Sequence, residues 1–379
     1  MSIDTVELGG KIRRYREQLQ LLPADVCEQA GISPERLAGI EVGTFVPSGD
    51  EILILSDVFR CDFRFFISNE KLAPFEETRT LYRKYGGDFS KADRLAVQEF
   101  LYLCESEAYL EAEAGSEAAR CPSFVPRGTL YTRHGEDAAA FVRGHLQYSP
   151  RECRANTFDE FRRLGFHVFR RKLANSNISG LCIRHHEIGP CILINYSEDW
   201  YRQRFSCAHE AGHAVIDTGV DDQVVVTLSR TSGLRETRAN RFASCFLLPP
   251  PLLQALPDPA SWSDSEFLIH ANSLMVNAQT FAIALKEAGR VGVEQSHRWK
   301  KLRVPKSAKA DPELPADLAP NSRQRAERLL ENGLTTHLVH LGFRALRDQH
   351  ISAARLAEML LLEPVDLERV AQLFGEALV

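Results

Sequence analysis

The chain has 379 residues, of which 44% are hydrophobic and 26% charged, with a formal net charge of −5. That length accommodates two or three domains with ordinary cores. No window approaches the about 18 apolar residues a membrane span needs, and no apolar run follows the first methionine, so membrane insertion and secretion are not expected. The nine cysteines are scattered and include no C-x-x-C pair, a pattern of reduced thiols in a cytoplasmic protein.

The first 70 residues carry a succession of short helical signals. Ile12, Tyr15 and Leu19 share one apolar helical face, and Ala24 to Ala30 reads as a short helix ended by Gly31. Ser33 caps a third helix with Pro34 at its first position and Leu37 and Ile40 inside, and another helix follows from Ser48 to Phe59. Helix, short turn with glycine, helix is the helix-turn-helix pattern. The segment Lys11 to Phe66 resembles the Cro/C1-type (XRE) DNA-binding domain, notably in Gly31-Ile32-Ser33, Ile40-Glu41-Val42-Gly43 and Val46-Pro47-Ser48.

That resemblance implies contact with DNA through Ser33, Glu35 and Arg36 of the recognition helix, with Arg13 and Arg14 beside the backbone, and possible pairing of two copies. Charge runs the other way. Residues 1–70 hold seven Lys+Arg against twelve Asp+Glu, a net −5, whereas duplex binding draws most of its affinity from neutralised phosphates. Pro23 also stands where relatives commonly place a polar, phosphate-contacting residue.

Residues 71–128 read as a helical spacer, with apolar positions such as Leu95, Phe100 and Leu103 among charges and an acidic-alanine run from Glu105 to Glu117. A third segment, 129–295, begins with helical spacing over Ala138 to Leu146. Its centre is the run His209-Glu210-Ala211-Gly212-His213 inside an apolar stretch from Phe205 to Ile216. On a helix, His209 and His213 project from one face and can share a zinc ion, while Glu210 beside them can act as a general base toward water. A catalytic zinc takes three protein ligands and keeps one position open. Glu236 is the preferred third ligand: it opens a second helical pattern through Ala239, Phe242, Ala243, Phe246 and Leu247 that stops before Pro249-Pro250-Pro251. Asp217, one turn beyond His213, is the rival. Asn240 is placed to orient a histidine from behind.

The stretch from about Gly165 to Leu248 resembles the ImmA/IrrE family of zinc metallopeptidases. The shared features are Gly165-Phe166-His167-Val168, Ile178-Ser179-Gly180, the apolar Cys191 to Asn195, Arg204 to Ala208 leading into the histidine pair, and Ala239-Asn240-Arg241-Phe242-Ala243 with Leu247-Leu248-Pro249. Arg238 occupies a position where many relatives carry a glutamate. The resemblance implies an α+β, predominantly helical protein: an all-α helix-turn-helix domain at 8–70, a thermolysin-like minimal zinc peptidase domain with a small sheet, and a C-terminal helical tail. It also implies zinc on His209, His213 and Glu236, with Glu210 as base. Tyr201, His185 and His186 are candidates for stabilising an oxyanion.

Residues 296–321, rich in Lys, Pro and Ala from Lys300 on, read as a linker, and 322–379 as a small helical element. Three functions fit this order: a regulatory peptidase that cleaves a specific protein such as a repressor or antitoxin; a DNA-binding regulator whose zinc domain senses without cutting; and a partner-binding component of a toxin–antitoxin or phage-linked module.

Overall fold

In the computed structural model the described residues are 4–68, 76–115, 120–217, 224–228, 232–314 and 318–377. The opening of the expected spacer (71–75) and the end of its acidic-alanine run (116–117) fall outside them. The chain divides into two compact units, Met1–Ser106 with Leu173–Asn175, and Glu107–Lys172 with Ser176–Val379. The division falls inside the expected spacer.

The first unit is all helical. Its elements are α1 (Thr5–Gln18), α2 (Pro23–Ala30), α3 (Pro34–Glu41), α4 (Gly49–Phe59), α5 (Phe63–Ile67), α6 (Glu76–Tyr85) and most of α7 (Lys91–Glu113). The boundaries follow local chemistry. Asp4, Ser33, Ser48 and Asp62 each accept a backbone N–H from the first turn of the helix they cap, and α2 stops at Gly31 in the left-handed conformation. The core joins Ile12, Tyr15, Leu19, Val26, Leu37, Ile40, Leu55 and Phe59. Tyr15 stacks on Phe59 and meets Phe65 and Phe66 edge-on. The apolar positions expected on α1 and α3 are thus the ones buried.

The second unit wraps helices around one small sheet. It opens with α8 (Tyr131–His145) and α9 (Thr157–Arg162), followed by β1 (His167–Arg171), β2 (Ile178–His185) and β3 (Gly189–Asn195). Then come α10 (Trp200–Ile216), β4 (Val224–Leu228), α11 (Leu234–Leu247) and α12 (Pro250–Ala255). The remaining helices are α13 (Asp264–Ser273), α14 (Ala278–Glu287), α15 (Val293–Trp299), α16 (Pro320–Glu331), α17 (Thr336–Arg347), α18 (Ala353–Met359) and α19 (Leu367–Phe374). Strand order is β1-β3-β2-β4, with β1 parallel to β3 and β2 antiparallel to both neighbours. β1, β2 and β3 are buried at nearly every position because helix covers the sheet: α10 lies across β2 and β3, and α11 packs between α10 and α8.

Two features fix that packing. Gly212 has no room for a side chain, since a Cβ there would stand 2.9 Å from Phe242 Cδ1. Its absence lets α11 approach α10 closely. Phe242 in turn stacks on Phe246, and Phe246 on Phe161 of α9. The second feature comes from the stretch expected as a linker. Arg170 of β1 donates to Glu313 (2.7 Å) and to Asp311 (2.6 and 2.9 Å), while Arg162 of α9 reaches the other Glu313 oxygen at 2.6 Å. Arg162, Arg170 and Glu313 are buried, so residues 311–313 are bound to the sheet by a dry ion network.

Candidate metal centre

α10 runs through the core, and nearly all of its side chains are buried. Its amino-terminal half is anchored by Arg204, whose guanidinium donates to the carbonyls of Leu274 and Arg154 and to the Thr157 hydroxyl. Asp199 caps its first turn. One turn apart farther along, His209 and His213 present Nε2 atoms 3.2 Å from each other. α11 starts at Leu234, two residues ahead of the expected start, and its first turn carries Glu236 to the pair. Glu236 Oε2 is 3.2 Å from His209 Nε2, and Oε1 is 3.5 Å from His213 Nε2.

The far side of each ring is tied. His209 Nδ1 meets Asn240 Oδ1 at 3.1 Å, and His213 Nδ1 meets Asp217 Oδ2 at 2.7 Å. An ionised carboxylate only accepts, so His213 donates from Nδ1 and keeps a lone pair on Nε2; Asn240 Oδ1 sets the same tautomer on His209. Asp217, the rival ligand, therefore stands behind His213 rather than beside Glu236. Its other oxygen accepts from Arg238, giving a buried relay Arg238–Asp217–His213.

Two facing lone pairs beside a carboxylate repel one another unless positive charge lies between them. Burial raises the Glu236 carboxyl; without an ion, only rings protonated at Nε2 could donate to it, and their hydrogen bonds and charge would hold it well below the usual carboxylate range. The spacing also fits an ion. Zinc–ligand bonds of about 2.0–2.1 Å in a tetrahedron place donor atoms roughly 3.3–3.4 Å apart, against the 3.2, 3.2 and 3.5 Å seen here. His209, His213 and Glu236 make a group that could hold a metal ion, with each imidazole held from behind.

Glu210 points from α10 toward the sheet. Gly180 of β2 makes this possible, for a Cβ there would lie 3.2 Å from Glu210 Oε1. Among the described residues neither carboxylate oxygen has a partner of good hydrogen-bond geometry, nor has the hydroxyl of Thr227, cross-strand partner of Gly180, although Thr227 stands close enough to favour the ionised Glu210. Burial pushes the Glu210 carboxyl above its ordinary value. A buried carboxyl with idle oxygens beside a cation site is equipped to take up and return a proton.

The three oxyanion candidates lie elsewhere. Tyr201 is eight residues before His209, about 12 Å along the helix, and its hydroxyl donates to Asn272 Oδ1 at 2.6 Å. His185 is five residues along β2 from Gly180, roughly 16 Å by strand rise, and its Nδ1 accepts the N–H groups of Glu187 and Ile188. His186 stacks on His185. Cys207 is buried in the core among Ala208 and Ala211.

In the amino-terminal unit the residues proposed for DNA are differently disposed. Ser33 caps α3, and Arg36 is held by both oxygens of Glu51 at 2.8 Å and by the Val46 carbonyl at 2.9 Å. Arg13 pairs with Glu17 at 2.8 Å, while Arg14 and Glu35 are exposed. Sequence reading did not find the Arg36–Glu51 fork, which joins two helices across the turn, nor the Arg238–Asp217 link. In both cases the partners are far apart in the chain.

Comparison with protein families agrees with this division. Residues 161–285 match the peptidase family described as the IrrE N-terminal-like domain, and residues 12–66 match the helix-turn-helix family. No curated protein and no solved structure gives a significant match. The chain thus joins a helix-turn-helix domain to a metallopeptidase-like domain.

Proposed function

From a chain that carries an IrrE N-terminal-like domain behind a helix-turn-helix domain, we propose a regulatory zinc-dependent endopeptidase that cleaves a specific protein, such as a repressor or antitoxin. The convergence of His209, His213 and Glu236 beside the idle carboxylate of Glu210 carries this reading. A bound zinc would supply the Lewis acidity that polarises a peptide carbonyl and makes water nucleophilic near neutral pH. Glu210 would accept the proton of the attacking water and deliver it to the leaving amine. Asp217 and Asn240 hold the imidazoles in the tautomer that leaves both Nε2 atoms available.

The sheet suggests how a polypeptide substrate is held. Among the described residues β4 ends the strand order and pairs with β2 alone, and its Thr227 lies opposite Gly180, beside the Glu210 carboxylate. An extended segment can add to such an edge through main-chain hydrogen bonds, which suits an endopeptidase. The helix-turn-helix domain would bring the enzyme to DNA or to a DNA-bound target. Cytoplasmic action fits nine scattered cysteines without a C-x-x-C pair, and among the described residues no helix is long and apolar enough to cross a membrane.

The test is a comparison of cellular protein amino termini in cells expressing the wild type or Glu210→Gln. The proposal expects one or a few new termini that require the wild-type protein. Identical sets from both would remove it. For the amino-terminal domain, a mobility shift with genomic fragments at low salt should exceed that of a deletion lacking residues 8–70; equal shifts would end the DNA assignment.

A further inference from the structure

Outside the His209–His213–Glu236 site, a second set of donors meets where the carboxyl-terminal part of α7 faces α17. Glu107 and Glu111 are one turn apart on α7, hence on one face. His337 is the second residue of α17, and its Nε2 lies 3.4 Å from Glu111 Oε1. One donor atom from each of the three falls within 4.8 Å of the others. Glu107 is completely buried: its Oε1 is 2.9 Å from His167 Nδ1, and its Oε2 has no partner among the described residues.

We propose that Glu107, Glu111 and His337 form a second divalent-metal site, independent of the peptidase centre. An ion pair between His337 and Glu111 alone would be half-exposed and weak, and would leave the Glu107 oxygen unsatisfied in a dry setting. A cation resolves this by taking the free Glu107 oxygen, a Glu111 oxygen and the His337 nitrogen. His167 then holds the Glu107 carboxylate from behind, as partners of metal-binding groups commonly do. The His337–Glu111 separation already matches the spacing of two donors on one ion, and the Glu107 donor lies within 4.8 Å of both. Two carboxylates with one imidazole favour a zinc- or manganese-class ion over magnesium or calcium, which prefer oxygen alone. Water reaching the half-exposed side would complete the coordination.

Zinc stoichiometry tests this directly. The full chain is dialysed against zinc, freed of loose metal by gel filtration, and its zinc counted by plasma mass spectrometry. Two ions per chain are expected for the wild type, one for Glu111→Gln and for His337→Ala, and one for His213→Ala, which reports on the peptidase centre alone. In the His213→Ala background added zinc should raise the melting temperature, and His337→Ala should abolish that rise. If the wild type and the Glu111→Gln and His337→Ala variants hold equal zinc, or if the zinc-dependent rise survives His337→Ala, the second site does not exist. Both positions are half-exposed, so these variants should fold, and melting without metal checks that they do.

Discussion

Gly212→Ala is the perturbation that most directly probes how α10 and α11 bring His209, His213 and Glu236 together. The added methyl would stand 2.9, 3.1 and 3.2 Å from three carbons of Phe242. Carbon atoms in good contact lie about 3.5–4.0 Å apart, so the helices must separate by roughly half an ångström or more. Phe242 has little freedom to yield, being buried and stacked on Phe246. Overpacking of this kind costs about 1–3 kcal/mol. For a unit of this size each kcal/mol moves Tm by roughly 2–4 °C, so a loss of about 2–12 °C is expected by calorimetry. Because Glu236 rides on α11, the same displacement pulls it from the two histidines, and zinc affinity measured by chelator competition should fall at least several-fold. A variant that melts within a degree of the wild type and binds zinc equally well would refute the claim that this contact sets the ligand spacing.

Other outcomes follow from single contacts. Asp217→Asn removes the charge that holds His213 and pairs with Arg238; zinc affinity should drop about 10–100-fold with the fold retained, and an unchanged affinity would show that the relay does not orient the ligand. Glu236→Ala should lose the metal of this centre altogether, and unchanged metal there would return Asp217 to the ligand set. Glu51 is held at about 2 by hydrogen bonding to Arg36. A depressed carboxyl stabilises fully above its ordinary value near 4.5, and that contribution is lost as pH falls through about 2. Glu51→Gln should thus destabilise the amino-terminal unit at pH 7 but not at pH 2. The pair is partly exposed, so the difference should be about 1 kcal/mol or less; equal destabilisation at both values would contradict the assignment.

Local chemistry was readable from the chain because periodicity, caps and ligand spacing act within a few residues. The apolar face of α1, the Ser33 and Ser48 caps, the Gly31 stop, and the histidines one turn apart on α10 all belong to this class. The approach of Glu236 and Asn240 to His209 follows the same local rule, since the two share one helix face a turn apart. What escaped depends on tertiary contact. Arg238 and Asp217 are separated by 21 residues and meet only when α11 docks on α10. Tyr201, His185 and His186 have suitable chemistry, but helix and strand rise carry the first two more than 10 Å away, and His186 follows His185 in the chain. The Lys-, Pro- and Ala-rich composition after Lys300 hides the fact that Asp311 and Glu313 bind buried arginines. Arg36, on the helix that the sequence pattern assigns to DNA, is held by Glu51 fifteen residues away.

The measurement that bears most directly on the central claim is cleavage of an identified target by purified protein. Wild type with zinc should convert the target to two defined fragments, and a chelator should stop it. Glu210→Gln should keep the zinc at His209, His213 and Glu236 while cleavage falls by at least 100-fold, the scale of a lost general base. Equal cleavage by Glu210→Gln and the wild type would contradict the assignment of this centre as a peptidase.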